Sequence, residues 1–364
     1  MKILILNWRD IKHPLAGGAE ISTHEHAKRW VKAGHNVTQF SSFVKGEKSS
    51  EIIDGVLIIR MGSHYTVHLC AFFYYILHAR NEIDLVVDEF HFIPFFTPLY
   101  CRKKKVAFIH ETAGEIWFKN HFFPINFIGF FLEPLFFYLY RKICFITVSD
   151  STKKDLIKFG IKKEHIYIIH NGLSPIRSVK KKETNPTIIY LGKFSRDKKT
   201  EDAILAFFEI QKVFSNSFLW VVGKQEKHGI ENSLKELVKK LGIEKKVTFF
   251  GFVQEEEKYD LLKRAWVLIN PSMKEGWGLT VIEAASQGTP CVAYDVSGLR
   301  DSIQDERTGL LAKERRPKNL AEKIIFLLKN KTWYDRLSKQ SLQWSKEFTW
   351  EKASRESMEL IDKI

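Results

Sequence analysis

The stretch VLINPSMKEGWGLTVIEAASQGTPCVAY (267–294) contains the unit from which the fold is built. Residues 267–269 are apolar on both faces, as in a strand buried within a parallel sheet. A loop with two glycines follows, then a helical pattern at 279–287 that ends at Gly288, and then a second apolar run at 291–293. Strand, helix and strand in this order are typical of a parallel sheet covered by helices.

The same alternation extends outward along the chain. Further strands are predicted at 3–6, 37–40, 56–60, 85–87, 106–109, 144–148, 166–169, 187–191, 218–222 and 247–250. Helices are predicted at 19–32, 66–80, 151–159, 201–214, 230–241 and 255–263, and the chain after Pro317 has a helical pattern throughout. The sequence therefore predicts an α/β protein with two doubly wound parallel sheets.

The break between the two sheets is predicted at LSPIRSVKKKETNP (173–186), which contains two prolines and a run of charges but no periodicity. A length of 364 residues also favours two domains. We predict an N-terminal domain at 1–172, a C-terminal domain at 187–345, and a last helix at 346–364 that packs back on the N-terminal domain. Because open parallel sheets bind ligands at the carboxyl ends of their strands, we expect two Rossmann-like domains facing across a cleft.

The composition indicates a globular protein with an anionic partner. Hydrophobic residues make up 45% and charged residues 27% of the chain, which excludes extensive disorder. The net charge of +14 favours a phosphorylated small molecule or an acidic lipid surface. Nucleic acid is not expected, because the sequence has neither an RNP-like strand nor a zinc-finger spacing.

The cysteines and the N-terminal residues are used to predict the cellular compartment of the protein. Cys70, Cys101, Cys144 and Cys291 are scattered, with no C-x-x-C pair, so neither a disulfide framework nor a zinc site is indicated. The opening run MKILILNWRD is too short for a secretory signal and is predicted to be a strand. We expect a cytoplasmic protein.

Two loops at predicted strand ends could hold an anion. Gly17 and Gly18 directly precede the helix predicted at 19–32, where backbone N–H groups and the helix dipole favour a phosphate. The dinucleotide fingerprint G-x-G-x-x-G is absent, and a simple turn is the alternative. The loop GKFSRDKKTED (192–202) follows the strand at 187–191 and carries four cations, which are either solvated or face an anionic ligand. These cations are Lys193, Arg196, Lys198 and Lys199.

Two acids lie in and just after the glycine-rich loop of the unit 267–294. Glu275 lies in the glycine-rich loop, and Glu283 lies one turn beyond Leu279 on the same face of the helix. A carboxylate can accept hydrogen bonds from a vicinal diol, while the start of the helix offers N–H groups to a diphosphate. The simpler interpretation is a helix start with one acid near the dipole and one on a solvated face.

Together with other segments, these loops resemble a known family. Seven segments occur in the family's order and spacing. They are GGAE (17–20), HE (110–111), TVSDSTKKDL (147–156), NGL (171–173), GKFSRDK (192–198), EGWGLTVIEA (275–284) and GLRDSI…TGLL (298–311). The sequence resembles the retaining glycosyltransferases of family 4 (GT4), which have the GT-B fold of two facing Rossmann-like domains. The motifs span nearly the whole chain.

The resemblance implies a role for each matching residue of the C-terminal domain. Glu275 would contact hydroxyls of the transferred sugar, Glu283 the ribose hydroxyls, and Lys198 the diphosphate. Lys193 stands where the family usually has arginine and cannot make arginine's bidentate fork, for which Arg196 could compensate. Lys199 occupies a position usually held by glycine. Further nucleotide contacts are expected from the helix start and from backbone near the base, at Gly278, Leu279, Thr280 and Val253.

In the N-terminal domain, the resemblance implies that Gly17 and Gly18 cradle the phosphate and that His110 touches the sugar. A strand-end histidine satisfied by backbone groups is the alternative for His110. The implied reaction is transfer of a hexose from a UDP- or GDP-sugar to a glycan or lipid-linked acceptor. The departing phosphate would act as the base, so that the anomeric configuration is retained. No Asp-x-Asp pair occurs, and we predict activity without a divalent metal or other cofactor.

Two other functions stay open from the sequence. One is a GT-B epimerase that acts on the nucleotide sugar itself. The other is a catalytically silent subunit that binds the sugar nucleotide and assists another transferase, an alternative suggested by the unusual residues at Lys193 and Lys199.

The segment 116–142 contains eight phenylalanines between Phe118 and Phe137. Pro124, Asn126, Glu133 and Pro134 interrupt it before about 18 clean apolar residues are reached, which argues against a membrane-spanning helix. The alternatives are a core helix, or a surface that dips into lipid or receives a lipid-linked acceptor. The second would make the protein peripheral on a membrane face.

Overall fold

The computed structural model describes the whole chain except residues 121, 122, 175 and 177, and gives no side-chain description for 119 and 120. Phe122 of the Phe-rich segment and two positions of the predicted linker, Pro175 and Arg177, therefore lie outside the described residues. The described strands are β1 (Lys2–Leu6), β2 (Asn36–Ser41), β3 (Ser50–Ile53), β4 (Val56–Arg60), β5 (Leu85–Phe90), β6 (Lys104–Ile109), β7 (Cys144–Thr147), β8 (Ile166–Ile168), β9 (Thr187–Leu191), β10 (Phe218–Val222), β11 (Val247–Gly251), β12 (Val267–Asn270), β13 (Cys291–Tyr294) and β14 (Gly309–Ala312).

Helices connect most of these strands. They are α1 (Gly18–Lys32), α2 (Val67–Tyr74), α3 (Thr97–Tyr100), α4 (Trp117–Asn120), α5 (Ile125–Tyr140), α6 (Asp150–Lys158), α7 (Thr200–Val213), α8 (Ile230–Lys240), α9 (Glu255–Arg264), α10 (Leu279–Ser286), α11 (Leu299–Ser302), α12 (Pro317–Lys329), α13 (Lys331–Ser345) and α14 (Trp350–Lys363). A π-helical turn, Tyr75–Ala79, continues α2.

The chain forms two compact units, one of Met1–Gly172 with Thr349–Ile364 and one of Leu173–Phe348. The first unit has an eight-stranded sheet in the order β3-β4-β2-β1-β5-β6-β7-β8. All neighbouring strands are parallel except the edge pair β3 and β4. The strand order reverses between β1 and β5, so the loops that follow these two strands lie at a topological switch point, where open α/β sheets bind ligands.

The second unit has a six-stranded parallel sheet in the order β11-β10-β9-β12-β13-β14. Apart from the edge strand β11, which is only partly buried, its strands are rich in Ile, Val and Leu and largely buried on both faces, because helices cover both sides. The order reverses between β9 and β12. The loops after these strands are the basic loop and the glycine-rich loop that the sequence singled out, and both lie at the switch point of this sheet.

The last helix, α14, belongs to the first unit and packs on α1. It begins after Thr349, whose side chain accepts a hydrogen bond from the Lys352 N–H. Ser357 receives a hydrogen bond from the Trp30 indole at 3.0 Å within this interface. The chain thus returns to its N-terminal unit after completing the second one.

The Phe-rich segment forms α5, which has both a buried and an exposed side. Phe136, Phe137 and Tyr140 are buried, whereas Ile128, Phe131 and Leu135 are each more than half exposed. Within the described part of the chain, none of the helices combines the length and apolar content needed to cross a bilayer. The sequence left two alternatives, a core helix and an apolar surface. Each of them therefore describes a different side of α5.

Candidate active site

The basic loop after β9 is held in place by hydrogen bonds to its backbone and to Tyr190. The Tyr190 hydroxyl donates to the carbonyl of Lys193 at 2.8 Å and accepts from Thr200 Oγ1 at 2.9 Å. Phe194 is fully buried, and its N–H donates to the Lys224 carbonyl at 2.9 Å. These contacts restrain the loop at both ends, which leaves the side chains between them in defined positions.

The glycine-rich loop after β12 holds Glu275. Its N–H donates to the carbonyl of Ser297 at 3.1 Å, and Ser272 Oγ donates to its Oε1 at 2.8 Å. Gly298 packs directly against it: a Cβ at this position would lie 2.0 Å from the Glu275 carbonyl oxygen, and its φ of +78° is also unfavourable for other residues. A glycine is required here for the loop to pack closely.

The two loops meet at the switch point. The Met273 N–H donates to the Asp197 carbonyl at 2.9 Å, and Lys198 Nζ lies 2.9 Å from Glu275 Oε1. Both side chains keep about one fifth of their surface exposed, 21% for Lys198 and 18% for Glu275. An ammonium and a carboxylate, each accessible, therefore lie side by side where a ligand of this sheet would bind.

The other cations of the basic loop are arranged differently. Lys193 is half-buried and Arg196 is exposed, and both lie on the same loop as Lys198. Lys199 adopts φ +50° at the residue before α7 and pairs with Glu201 at 3.2 Å. This left-handed conformation favours glycine, which accounts for the glycine that related sequences are expected to have there.

Glu283 lies on α10 in the second turn and is buried. Its Oε1 accepts from Lys258 Nζ of α9 at 2.8 Å. Burial raises the pKa of Glu283, and the Lys258 ammonium acts in the opposite direction. Gly278, Leu279 and Thr280 form the start of the same helix, and Val253 precedes α9 with its side chain partly buried.

At the switch point of the first unit, Gly17 directly precedes α1, and its N–H donates to Glu20 Oε2 at 2.7 Å. The other oxygen of Glu20 accepts from Arg9 Nε at 2.7 Å and lies 3.6 Å from His91 Nε2. Arg9 follows β1 and His91 follows β5. The glycine pair therefore adjoins a buried carboxylate that already has a guanidinium partner.

His110 directly follows β6, and its ring is stacked on Phe108 at 4.8 Å and faces His91 at 6.3 Å. Its Nε2 lies 3.9 Å from Oε2 of Glu89, a buried residue whose other oxygen accepts from Thr23 at 2.7 Å. Burial lowers the pKa of His110 to about 3 and raises the pKa of Glu89 well above its usual value. His110 is therefore neutral near pH 7, and burial favours the protonated form of Glu89.

Sequence reasoning did not identify Lys258, Glu89, Arg9 or Ser272 as part of these clusters. Lys258 stands in the run EEEK at the start of a helix, a pattern typical of a solvated face. Glu89 belongs to an otherwise apolar strand, and an acid within such a run was the one available signal. The predicted site residues themselves lie in different units: Gly17, Gly18 and His110 in the first, and the others in the second.

Comparison with known proteins covers both units. The sequence model of Glycosyltransferase Family 4 matches residues 16–177, and that of Glycosyl transferases group 1 matches residues 175–344. An uncharacterised glycosyltransferase of Methanocaldococcus jannaschii is 25% identical over 356 residues, which cover 88% of this chain and 87% of the relative. Mannosylfructose-phosphate synthase of Agrobacterium fabrum is 26% identical over 244 residues, 62% of this chain and 54% of that protein.

Solved structures share the fold of this chain. Sucrose-phosphate synthase from Thermosynechococcus elongatus superposes with a TM-score of 0.83 at 19% identity, covering 100% of this chain and 98% of that one. HepE of Anabaena, determined with UDP and glucose, superposes with a TM-score of 0.78 at 17% identity over 100% of both chains.

The two mainly parallel α/β sheets and these neighbours show the GT-B fold, which confirms the predicted fold class. The chain is a glycosyltransferase, and it belongs to family 4, the glycosyl transferases group 1.

Proposed function

We propose that this glycosyltransferase moves a hexose from a UDP- or GDP-sugar to a glycan or lipid-linked hydroxyl, with retention of configuration and without a divalent metal. The pair of Lys198 and Glu275 at the switch point of the second sheet carries the proposal. The ammonium is suited to a diphosphate and the carboxylate to sugar hydroxyls. The structure of HepE with UDP-glucose supports a nucleotide sugar as the donor.

In the proposed reaction, each group of the pair exchanges its partner when the donor binds. Lys198 turns from Glu275 to the diphosphate and stabilises the charge that grows as the phosphate departs. Glu275 accepts hydrogen bonds from the sugar, and Ser272 keeps its carboxylate oriented. The departing phosphate takes the proton of the acceptor hydroxyl, which attacks from the same face.

Other predicted residues take supporting roles in this proposal. Lys193 and Arg196 add positive charge near the diphosphate, and the first residues of α10 offer N–H groups to it. Backbone near Val253 contacts the base, and Glu283 accepts from the ribose hydroxyls. For the first unit, we propose that Gly17 and Gly18 contact a phosphate and that neutral His110 contacts a sugar.

The proposal is tested by incubating the protein with UDP- and GDP-sugars, with and without alkyl glycosides or a total membrane-lipid extract as acceptor. Donor turnover that depends on acceptor, persists in EDTA and yields a product of unchanged anomeric configuration by NMR is expected. A new epimer of the donor formed without acceptor would instead identify an epimerase. Nucleotide binding with no turnover under any condition would identify a silent subunit.

We further propose that the acceptor is presented by an anionic membrane, on a surface formed by α2, α3 and α5. Five apolar side chains of these elements are each at least half exposed. They are Phe73 on α2, Leu77 on the π-helical turn after it, Leu99 on α3, and Phe131 and Leu135 on α5. The helices are neighbours, since Tyr100 packs on Phe72 and Phe96 packs on Phe136. We name this the apolar surface. Exposed cations follow the helices that form it, at Arg102, Arg141 and Lys142, and would favour acidic headgroups.

The double substitution Phe131→Ser with Leu135→Ser is expected to weaken binding to vesicles containing anionic lipid by roughly tenfold or more, because each side chain removes apolar area from the lipid contact. Cosedimentation at low salt measures this. The matched control is Val213→Ser with Leu342→Ser, which removes exposed apolar side chains from the second unit. Absence of wild-type binding to these vesicles would remove the membrane from the proposal.

A further inference from the structure

Lys258 lies between two acids in the second unit. Its Nζ donates to Glu283 Oε1 on α10 at 2.8 Å and also contacts Glu255 on its own helix, α9. Only 14% of the Lys258 side chain and 8% of the Glu283 side chain are exposed. The ammonium therefore approaches the carboxylate within the protein interior and occupies one of its two oxygens.

The charges of this pair depend on each other. Burial favours a protonated Glu283 and raises its pKa, and the Lys258 ammonium is the group that favours the carboxylate. In return, the carboxylates of Glu283 and Glu255 raise the pKa of Lys258 against the effect of its burial. Tyr259 is a further titratable side chain close to Glu283, and burial raises its pKa, which keeps it neutral. Without Lys258, Glu283 would lose its countercharge.

A buried ion pair is a costly way to stabilise helix packing. Removing two charges from water offsets most of their attraction, and apolar residues of similar size often stabilise a protein as well or better. The two helices already share buried apolar residues, among them Leu262 and Val281. A role of the pair in ligand binding accounts for its presence more readily than a role in stability.

We propose that Lys258 is a positioning residue for the nucleotide: it holds Glu283 as an oriented carboxylate whose second oxygen accepts from the ribose diol. The inference rests on the proposed function, in which Glu283 is the ribose ligand. A protonated Glu283 would be a weaker acceptor, and an unrestrained one would lose its orientation. Lys258 thus acts through Glu283, and through it supports selectivity for a nucleotide that has both ribose hydroxyls.

The test compares binding of UDP and GDP with their 2′,3′-dideoxy analogues by calorimetry. We expect wild type to prefer the natural nucleotide by roughly 10–100-fold, the range of hydrogen bonds to a charged acceptor. Glu283→Gln and Lys258→Met should each reduce this preference to about threefold or less, and Lys258→Arg should retain most of it. The matched control, Lys239→Met, removes an exposed lysine of α8 and should behave as wild type.

The kinetic readout separates positioning from folding. Lys258→Met should raise the donor KM by about the same factor as it weakens nucleotide binding, with kcat changed less than about threefold. If Lys258→Met fails to fold by circular dichroism, Lys258→Gln replaces it, with the same expectation. A purely structural role would lower kcat and the fraction of active protein instead, and would overturn the inference.

The outcomes distinguish this inference from the proposed function. If Glu283→Gln abolishes the preference but Lys258→Met keeps it, the role of Lys258 is overturned and the ribose site stands. If Lys258→Met binds nucleotide more tightly, Lys258 competes with the ribose and the inference is also overturned. If neither nucleotide binds wild type, the proposed function itself fails.

Discussion

Replacing Lys198 with alanine is expected to lower kcat/KM for donor turnover by about 10²–10³-fold, the usual cost of removing one group that stabilises developing negative charge. Lys198 Nζ lies 2.9 Å from Glu275 at the switch point of the second sheet. Because a diphosphate is the proposed partner of the ammonium, binding of UDP or GDP alone should weaken as well. Steady-state kinetics and calorimetry measure the two effects.

The control for Lys198 is Lys239→Ala, which removes the same charge from the exposed face of α8 and should leave both quantities unchanged. The contact with Glu275 creates a second explanation, in which Lys198 only orients that carboxylate. In that case Lys198→Ala would leave nucleotide binding intact. The double variant Lys198→Ala with Glu275→Gln would then have the same kcat/KM as Glu275→Gln alone. Retention of kcat/KM within about threefold of wild type would contradict the proposed role.

The second large effect is expected from Glu275→Gln, which should lower kcat/KM by about 10²-fold or more. Hydrogen bonds to a charged acceptor contribute about 1.5–3 kcal/mol each, and the sugar is proposed to donate more than one. Binding of UDP or GDP should stay equal or become slightly tighter, because Lys198 no longer shares its charge with a carboxylate. The comparison of donor kinetics with nucleotide binding provides the measurement.

Glu236→Gln is the matched control, since this acid is exposed on α8 and lies in the same unit. Equal weakening of donor and nucleotide binding with an unchanged kcat would assign Glu275 to the nucleotide rather than the sugar. Since Lys198 and Glu275 are in contact, their effects should not add, and the double variant is expected to lose less than the product of the two single losses.

The strands and helices were largely predictable because their periodicity is local. The strands at 187–191 and 218–222 have the predicted bounds, and the helix at 279–287 is observed as Leu279–Ser286. Two edge strands, β3 and β14, were not predicted. An edge strand is short and has one neighbour, so its conformation depends on pairing, here of Ser50 with Ile59 and of Gly309 with Cys291.

The Phe-rich segment shows where local patterns are insufficient. Glu133 interrupts an apolar run, yet it is buried and accepts from the N–H groups of Ala113 and Gly114 at 2.7 and 2.8 Å. Gly129 packs on Trp117, where a Cβ would lie 2.4 Å from the indole ring. One side of α5 is therefore a core surface, and these contacts come from residues 113–117, which precede α5 and include the start of α4.

The sequence by itself determined the two parallel α/β sheets, the family and the loops that carry Glu275 and Lys198, because strand periodicity and loop composition are properties of neighbouring residues. Only the tertiary structure decided which side chains meet. Strand order brings the loop after β9 beside the loop after β12, although about 75 residues separate them along the chain. The pairs Lys258 with Glu283 and His110 with Glu89 arise in the same way, since burial and charge partners depend on how the elements pack.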